Sequence, residues 1–136
     1  VTALAAERIP VVVEPFMSRR GGHGLVNDLT TEAVVRSTAI ASALGNTSAY
    51  TWLKLPVVDD PAAMEHVAAA TTLPIVLLGG EVSDDPDETL ARWRKALELP
   101  AVRGLTVGRS LLYPPDGDVA AAVDRAVSLL PGRGSA

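Results

Sequence analysis

The chain has 136 residues, of which 48% are hydrophobic and 21% charged, so it has the composition of one globular domain and not of a disordered segment. Its net charge of −4 argues against a nucleic-acid surface built on bulk positive charge. The absence of cysteine excludes disulfides, thiol nucleophiles and thiolate metal sites and is compatible with the cytoplasm. No apolar run approaches the ~18 residues of a membrane span, and no signal-peptide pattern opens the chain. The first residue is Val1, and residues 1–8 read as the end of a helix, so the chain is expected to be a fragment or to start at an alternative codon.

Four short apolar runs follow in order. They are Pro10 to Glu14, Ala49 to Leu55, Pro74 to Gly80 and Gly104 to Arg109. Runs of this length with little alternation predict strands covered on both faces, hence a parallel sheet. The first run is followed by a loop, Met17 to Thr30, that contains Arg19-Arg20-Gly21-Gly22-His23-Gly24. A helix is predicted from Thr31 to Leu44, stopped by Gly45-Asn46. Asp60-Pro61 and Asp85-Pro86 each read as an N-cap and first helical residue, opening helices to Ala70 and to about Leu99. A last helix is predicted from Asp116 through Leu130, and residues 131–136 read as a flexible tail. The pattern is α/β, made of parallel (β/α) repeats without hairpin signals. An open doubly wound sheet and a stretch of a (β/α)8 barrel both fit it. There is no G-x-G-x-x-G after the first strand to favour dinucleotide binding.

In such folds the chemistry sits at the carboxyl ends of the strands. Those ends carry Glu14, Lys54, Gly79-Gly80 and Gly108-Arg109-Ser110. The chain has two lysines, Lys54 and Lys95, against ten arginines, so a lysine inside an apolar strand calls for a reason that arginine does not meet. A desolvated lysine loses its proton more easily, and the neutral amine attacks a carbonyl to form a Schiff base. The plainer alternative is a lysine that snorkels from the strand end or pairs with a carboxylate. Period-2 geometry puts Tyr50 and Trp52 on the face of Lys54, where both rings would wall it. Glu14 is a candidate acid/base or partner of the lysine, against the alternative of a solvated rim carboxylate. Two glycine-bearing strand ends in succession suit a phosphate held by backbone N–H groups, with Arg109 adding charge. His23 and His66 form no metal constellation. Asp59, Asp60, Asp84, Asp85 and Asp87 look like helix-start carboxylates.

The lysine at a strand end, then Leu73-Pro74-Ile75-Val76-Leu77-Leu78-Gly79-Gly80, then Gly104-Leu105-Thr106-Val107-Gly108-Arg109-Ser110 with Pro114-Pro115-Asp116 after it, resembles the final strands of DhnA-type class I aldolases. That group holds archaeal-type fructose-bisphosphate aldolases and bacterial relatives that process autoinducers or break down inositol. The resemblance implies that residues 1–130 are the C-terminal half, strands five to eight, of a (β/α)8 TIM barrel. It assigns the Schiff base to Lys54 and the substrate phosphate to Gly79, Gly80, Gly108 and Arg109. It implies a lyase acting on a phosphorylated sugar in the cytoplasm with no metal or organic cofactor. Its implied partners are a missing N-terminal half barrel or a second copy of the chain, and neither nucleic acid nor membrane. The sequence departs from the group at Leu55-Pro56, where members often carry Thr or a nearby Tyr. It also departs at Glu14-Pro15-Phe16, which stands in place of an acid/base tyrosine and is closer to the glutamate of tagatose-bisphosphate-type aldolases. These departures keep a rival open, a non-catalytic phosphosugar-binding or structural barrel segment.

Overall fold

The computed structural model describes residues 1–22, 24–58, 60–80, 82–83 and 85–130. Four strands, β1 (Val11–Val13), β4 (Thr51–Leu55), β5 (Ile75–Leu78) and β6 (Val102–Thr106), form one parallel sheet in the order β1-β4-β5-β6. The order follows the chain with no reversal, whereas a doubly wound sheet needs a reversal at its switch point. Between the sheet strands run α2 (Thr31–Ser42), α3 (Pro61–Ala69) and α4 (Pro86–Leu97). A short helix α1 (Thr2–Ala6) precedes β1, and α5 (Arg109–Leu112) and α6 (Val119–Val127) follow β6. No helix among the described residues is long and apolar enough to cross a membrane.

Alternation along the strands decides what is buried. Leu53, Leu55, Ile75 and Leu77 are fully enclosed and pack with Val34, Met64, Val67, Ala96 and Leu97 of the helices. The intervening residues Trp52, Lys54, Val76 and Leu78 lie on the opposite face and are half-buried, and Val12 is 55% exposed. The expectation that both faces are covered therefore fails among the described residues: the helices cover one. Both faces of β5 are apolar, so its sequence shows no alternation even though its burial does.

Four helix starts are capped by the side chain before the first turn. Thr30 Oγ1, Asp60 Oδ1, Asp85 Oδ1 and Asp118 Oδ1 accept from the N–H groups of Ala33, Ala62, Glu88 and Ala121. Each such cap contributes about 1 kcal/mol. Asp118, and not Asp116, opens the last helix; Asp116 accepts instead from the Asp118 N–H at 3.0 Å. The fourth sheet strand starts at Val102, ahead of the predicted Gly104, and α5 occupies the segment that begins with Arg109.

The largest departure from expectation lies between Met17 and Asp28. This segment is an antiparallel hairpin of β2 (Met17–Gly21) and β3 (Gly24–Asp28), with Met17 opposite Asp28 and Gly21 opposite Gly24. Its strands carry no apolar alternation, so periodicity is silent. The pairing rests on local features: Gly24 at φ +126, and Ser18 Oγ donating to Asn27 Oδ1 at 2.8 Å across the ladder. A Cβ on Gly21 would stand 3.0 Å from Val26 Cγ2, tighter than ordinary packing. The hairpin is tied to α2 by Asp28, whose Oδ1 accepts from Thr30 N at 3.0 Å and from Thr30 Oγ1 at 2.8 Å.

Two predictions follow from this packing. Leu77→Ala should destabilise the protein by about 2–5 kcal/mol, because a fully enclosed side chain leaves a cavity; denaturant unfolding measures it. The Thr30 hydrogen bonds, backbone first, with a smaller contribution from Arg19, hold the Asp28 carboxyl below its ordinary range. A lowered folded value means that this contribution is complete above the ordinary carboxylate range and is lost as pH falls through the lowered value. Protection of the Thr30 amide, measured against the intrinsic exchange rate at each pH, should therefore fall in acid, and Asp28→Asn should flatten that dependence.

Candidate active site

Because the sheet is parallel, all four strands end on one edge. Register Val13↔Leu53 brings the next residues, Glu14 and Lys54, side by side. Lys54 Nζ donates to Glu14 Oε2 at 3.1 Å. The lysine side chain is 24% exposed and the glutamate 41%, so the pair sits at the rim of the sheet and not in its core. Such an exposed pair contributes little to stability. What sets it apart is its place: a lysine and a carboxylate meet at the carboxyl edge of the sheet, on the face the helices leave open.

Trp52 shares the face of Lys54, as alternation requires. Tyr50 does not join it. Tyr50 precedes the strand, adopts φ +64 and is 44% exposed, so the period-2 argument does not reach it. Its carbonyl instead accepts from Val11 N at 2.8 Å, joining the start of β1 to that of β4.

Gly79 and Gly80 follow β5 and Gly108 caps α5 after β6, the neighbouring strand. The two strand ends are clamped together. A Cβ on Gly79 would lie 2.9 Å from both Cβ and Cγ1 of Val107, and Ser110 Oγ donates to the Gly79 carbonyl at 3.1 Å. Gly80 stands at φ +68 and Gly108 has open space where a Cβ would be. Arg109 is exposed. The four residues thus share one rim, with Ser110 as the bridging side chain. Ser110 carried no signal as a joint, because only the fold brings it against Gly79. A cavity of about 230 Å³ adjoins this rim, lined by Leu29, Pro56, Leu78, Gly79, Gly80 and Arg92 among others.

The remaining candidates lie elsewhere. Lys95 is in the last turn of α4 and His66 in the last turn of α3. Asp60 and Asp85 are caps. Asp87 lies 3.8 Å from Arg125. His23, Asp59 and Asp84 fall outside the described residues. No group of three metal-ligating side chains occurs among the described residues.

A family model described as Cgl0159-like matches residues 1–127. The chain belongs to the Cgl0159-like family. The crystal structure of Cgl0159 from Corynebacterium glutamicum is 58% identical and superposes with a TM-score of 0.90, over 96% of this chain and 42% of that one. A Schiff base-forming fructose-1,6-bisphosphate aldolase is 25% identical at a TM-score of 0.76, over 94% of this chain and 48% of that one. An archaeal fructose 1,6-bisphosphate aldolase, at 23% identity and a TM-score of 0.75, shares the fold. The chain spans less than half the length of each of these structures. No curated protein matches it. This member of the Cgl0159-like family therefore combines an α/β fold and a parallel four-stranded sheet with aldolase barrels as structural neighbours.

The clamp between the strand ends is open to test. Gly79→Ala should displace the Val107–Ser110 turn and lower stability by about 1–3 kcal/mol through overpacking, whereas Ala at Gly108 meets no atom and should cost less. Thermal unfolding of the two variants checks the difference.

Proposed function

We propose that this chain is the C-terminal half, strands five to eight, of a (β/α)8 barrel that works as a class I aldolase on a phosphorylated sugar. The observation that carries the reading is the Lys54–Glu14 pair at 3.1 Å, at the carboxyl edge of the sheet and on the face the helices leave open. In this reading Lys54, as the neutral amine, attacks the ketose carbonyl. A carbinolamine forms and loses water, giving an iminium. The iminium takes up the electron pair of the breaking carbon–carbon bond as the substrate hydroxyl loses its proton and an aldehyde departs; the enamine left on Lys54 is then protonated at carbon, and water hydrolyses the resulting iminium, releasing the second product and the amine. Glu14 accepts the ammonium proton and exchanges protons with the substrate hydroxyl. Gly79, Gly80, Gly108 and Arg109 hold the phosphate, and the reading calls for no metal or organic cofactor.

The barrel half of the proposal draws on exposed apolar surface. Val12 lies on the open sheet face. Val119, Val123 and Val127 line one stripe of α6, and Ile40 of α2 and Leu44 just after it are exposed toward the other end of the sheet. A second (β/α)4 half would cover all three regions and pair the free edges of β1 and β6. A full barrel needs ~250 residues. A non-catalytic phosphosugar-binding segment is the competing reading, favoured by Leu55-Pro56 after the lysine.

Borohydride added to the full-length protein with fructose 1,6-bisphosphate should attach the substrate at Lys54, and Lys54→Arg should abolish this while the fold survives. Attachment at Lys95 alone, or none with several ketose phosphates, supports the non-catalytic reading. Arg109→Gln should raise KM for phosphorylated ligands about 10-fold or more and leave unphosphorylated ones unchanged. In sedimentation, the 136 residues alone should associate; a compact monomer that unfolds cooperatively would overturn the half-barrel assignment.

A further inference from the structure

The register of the sheet places one more chemical group on the face of Lys54. Lys54 pairs with Val76, and Val76 with Gly104, so these three stand in one row across β4, β5 and β6. One step further along the same face, Leu78 pairs with Thr106, the last residue of β6. A bulge between Ile75 and Val76 sets this register: beyond it Leu105 turns to the helices and packs on the core, and Thr106 turns to the open face, where it is exposed.

Two features of this corner are unusual for the face they occupy. The other side chains that β1, β4 and β5 contribute to it, Lys54 apart, are apolar: Val12, Trp52, Val76 and Leu78. Thr106 brings a hydroxyl that can both donate and accept, and no group among the described residues hydrogen-bonds with it. In the row of Lys54, β6 carries a glycine, and a Cβ built on Gly104 meets nothing within 4 Å. Glycine here is not required by backbone conformation, since Gly104 is absent from the positive-φ positions. It leaves a slot. The slot lies two strands from Lys54, about 10 Å away at ordinary strand spacing, and Thr106 stands above it, two residues before Gly108.

We propose that Thr106 is a specificity-determining residue of this site, its hydroxyl hydrogen-bonding an oxygen of the bound ketose phosphate between the carbonyl carbon and the phosphate, over a slot that Gly104 keeps open. The proposal rests on the Schiff-base reading of Lys54 and adds to it the side of the sheet on which the phosphate-bearing arm lies. An arm joined to Lys54 at one end and to the Gly79 and Gly108 turns at the other crosses this corner.

The test follows the concentration of fructose 1,6-bisphosphate that half-saturates borohydride trapping in the full-length protein. Thr106→Val keeps the branched shape and the strand preference and removes only the hydroxyl. It should raise the half-saturating concentration about 3- to 10-fold, the loss of one neutral hydrogen bond, while Thr106→Ser stays near wild type. Gly104→Ala, whose Cβ meets nothing within 4 Å, should fold normally by circular dichroism and trap less. Trapping in which Thr106→Val matches wild type would overturn the role of Thr106 and leave the Schiff base standing. Loss of affinity in Thr106→Val and Thr106→Ser alike would assign the residue to packing and overturn the proposal too. Absence of trapping in wild type with any ketose phosphate would remove the Schiff-base reading and this inference with it.

Discussion

Everything at the rim depends on the burial of Leu53, Leu55, Ile75 and Leu77 against one layer of helices. Strand residues alternate between faces, so enclosing these four on the helical side forces Trp52, Lys54, Val76 and Leu78 to the other. A slip of one residue would bury the Lys54 ammonium in the core and expose the leucines. The cost of a charge in that setting far exceeds anything the ion pair with Glu14 returns. The placement of the lysine is thus enforced by its apolar neighbours.

The edge at which Lys54 emerges is equally constrained. Parallel strands deliver all their carboxyl ends to one side, so residues far apart in the chain meet there: Glu14 with Lys54, and Gly79 with Ser110. At the second junction the backbone approach is close enough that a Cβ on Gly79 would run into Val107. That glycine is a packing requirement before it is anything else, while Gly80 and Gly108 face open space. The distinction matters for any bound group: open glycines expose backbone to a ligand, and the closed one fixes the distance between the two turns.

The same geometry accounts for where concavity lies. The cavity at the strand ends is walled by Pro56, Gly79, Gly80 and the helix residues behind them, and its lining includes neither Lys54 nor Glu14. Four strands with helices on one side present the lysine on a gently twisted surface. A concave site around it calls for a wall on the opposite side, as the barrel of the proposed whole protein would supply.

Local chemistry settled much of this protein in the sequence itself. The Asp-Pro starts of α3 and α4 and the four apolar strands are written in residues next to one another, because caps and strand cores act over a few positions. Lys54 stands out in the sequence by the scarcity of lysine and by its place in a strand. The hairpin of β2 and β3 was not legible, since its pairing is carried by glycines and polar contacts and not by apolar periodicity. Alternation read from the letters puts Tyr50 on the lysine's face, and its left-handed backbone breaks that alternation. The 3.1 Å contact of Lys54 with Glu14, the seat of Ser110 on Gly79 and the turn of Thr106 onto the lysine's face belong to tertiary structure alone. They depend on the register between strands, and register is decided by which side chains the helices enclose, a property of no single segment.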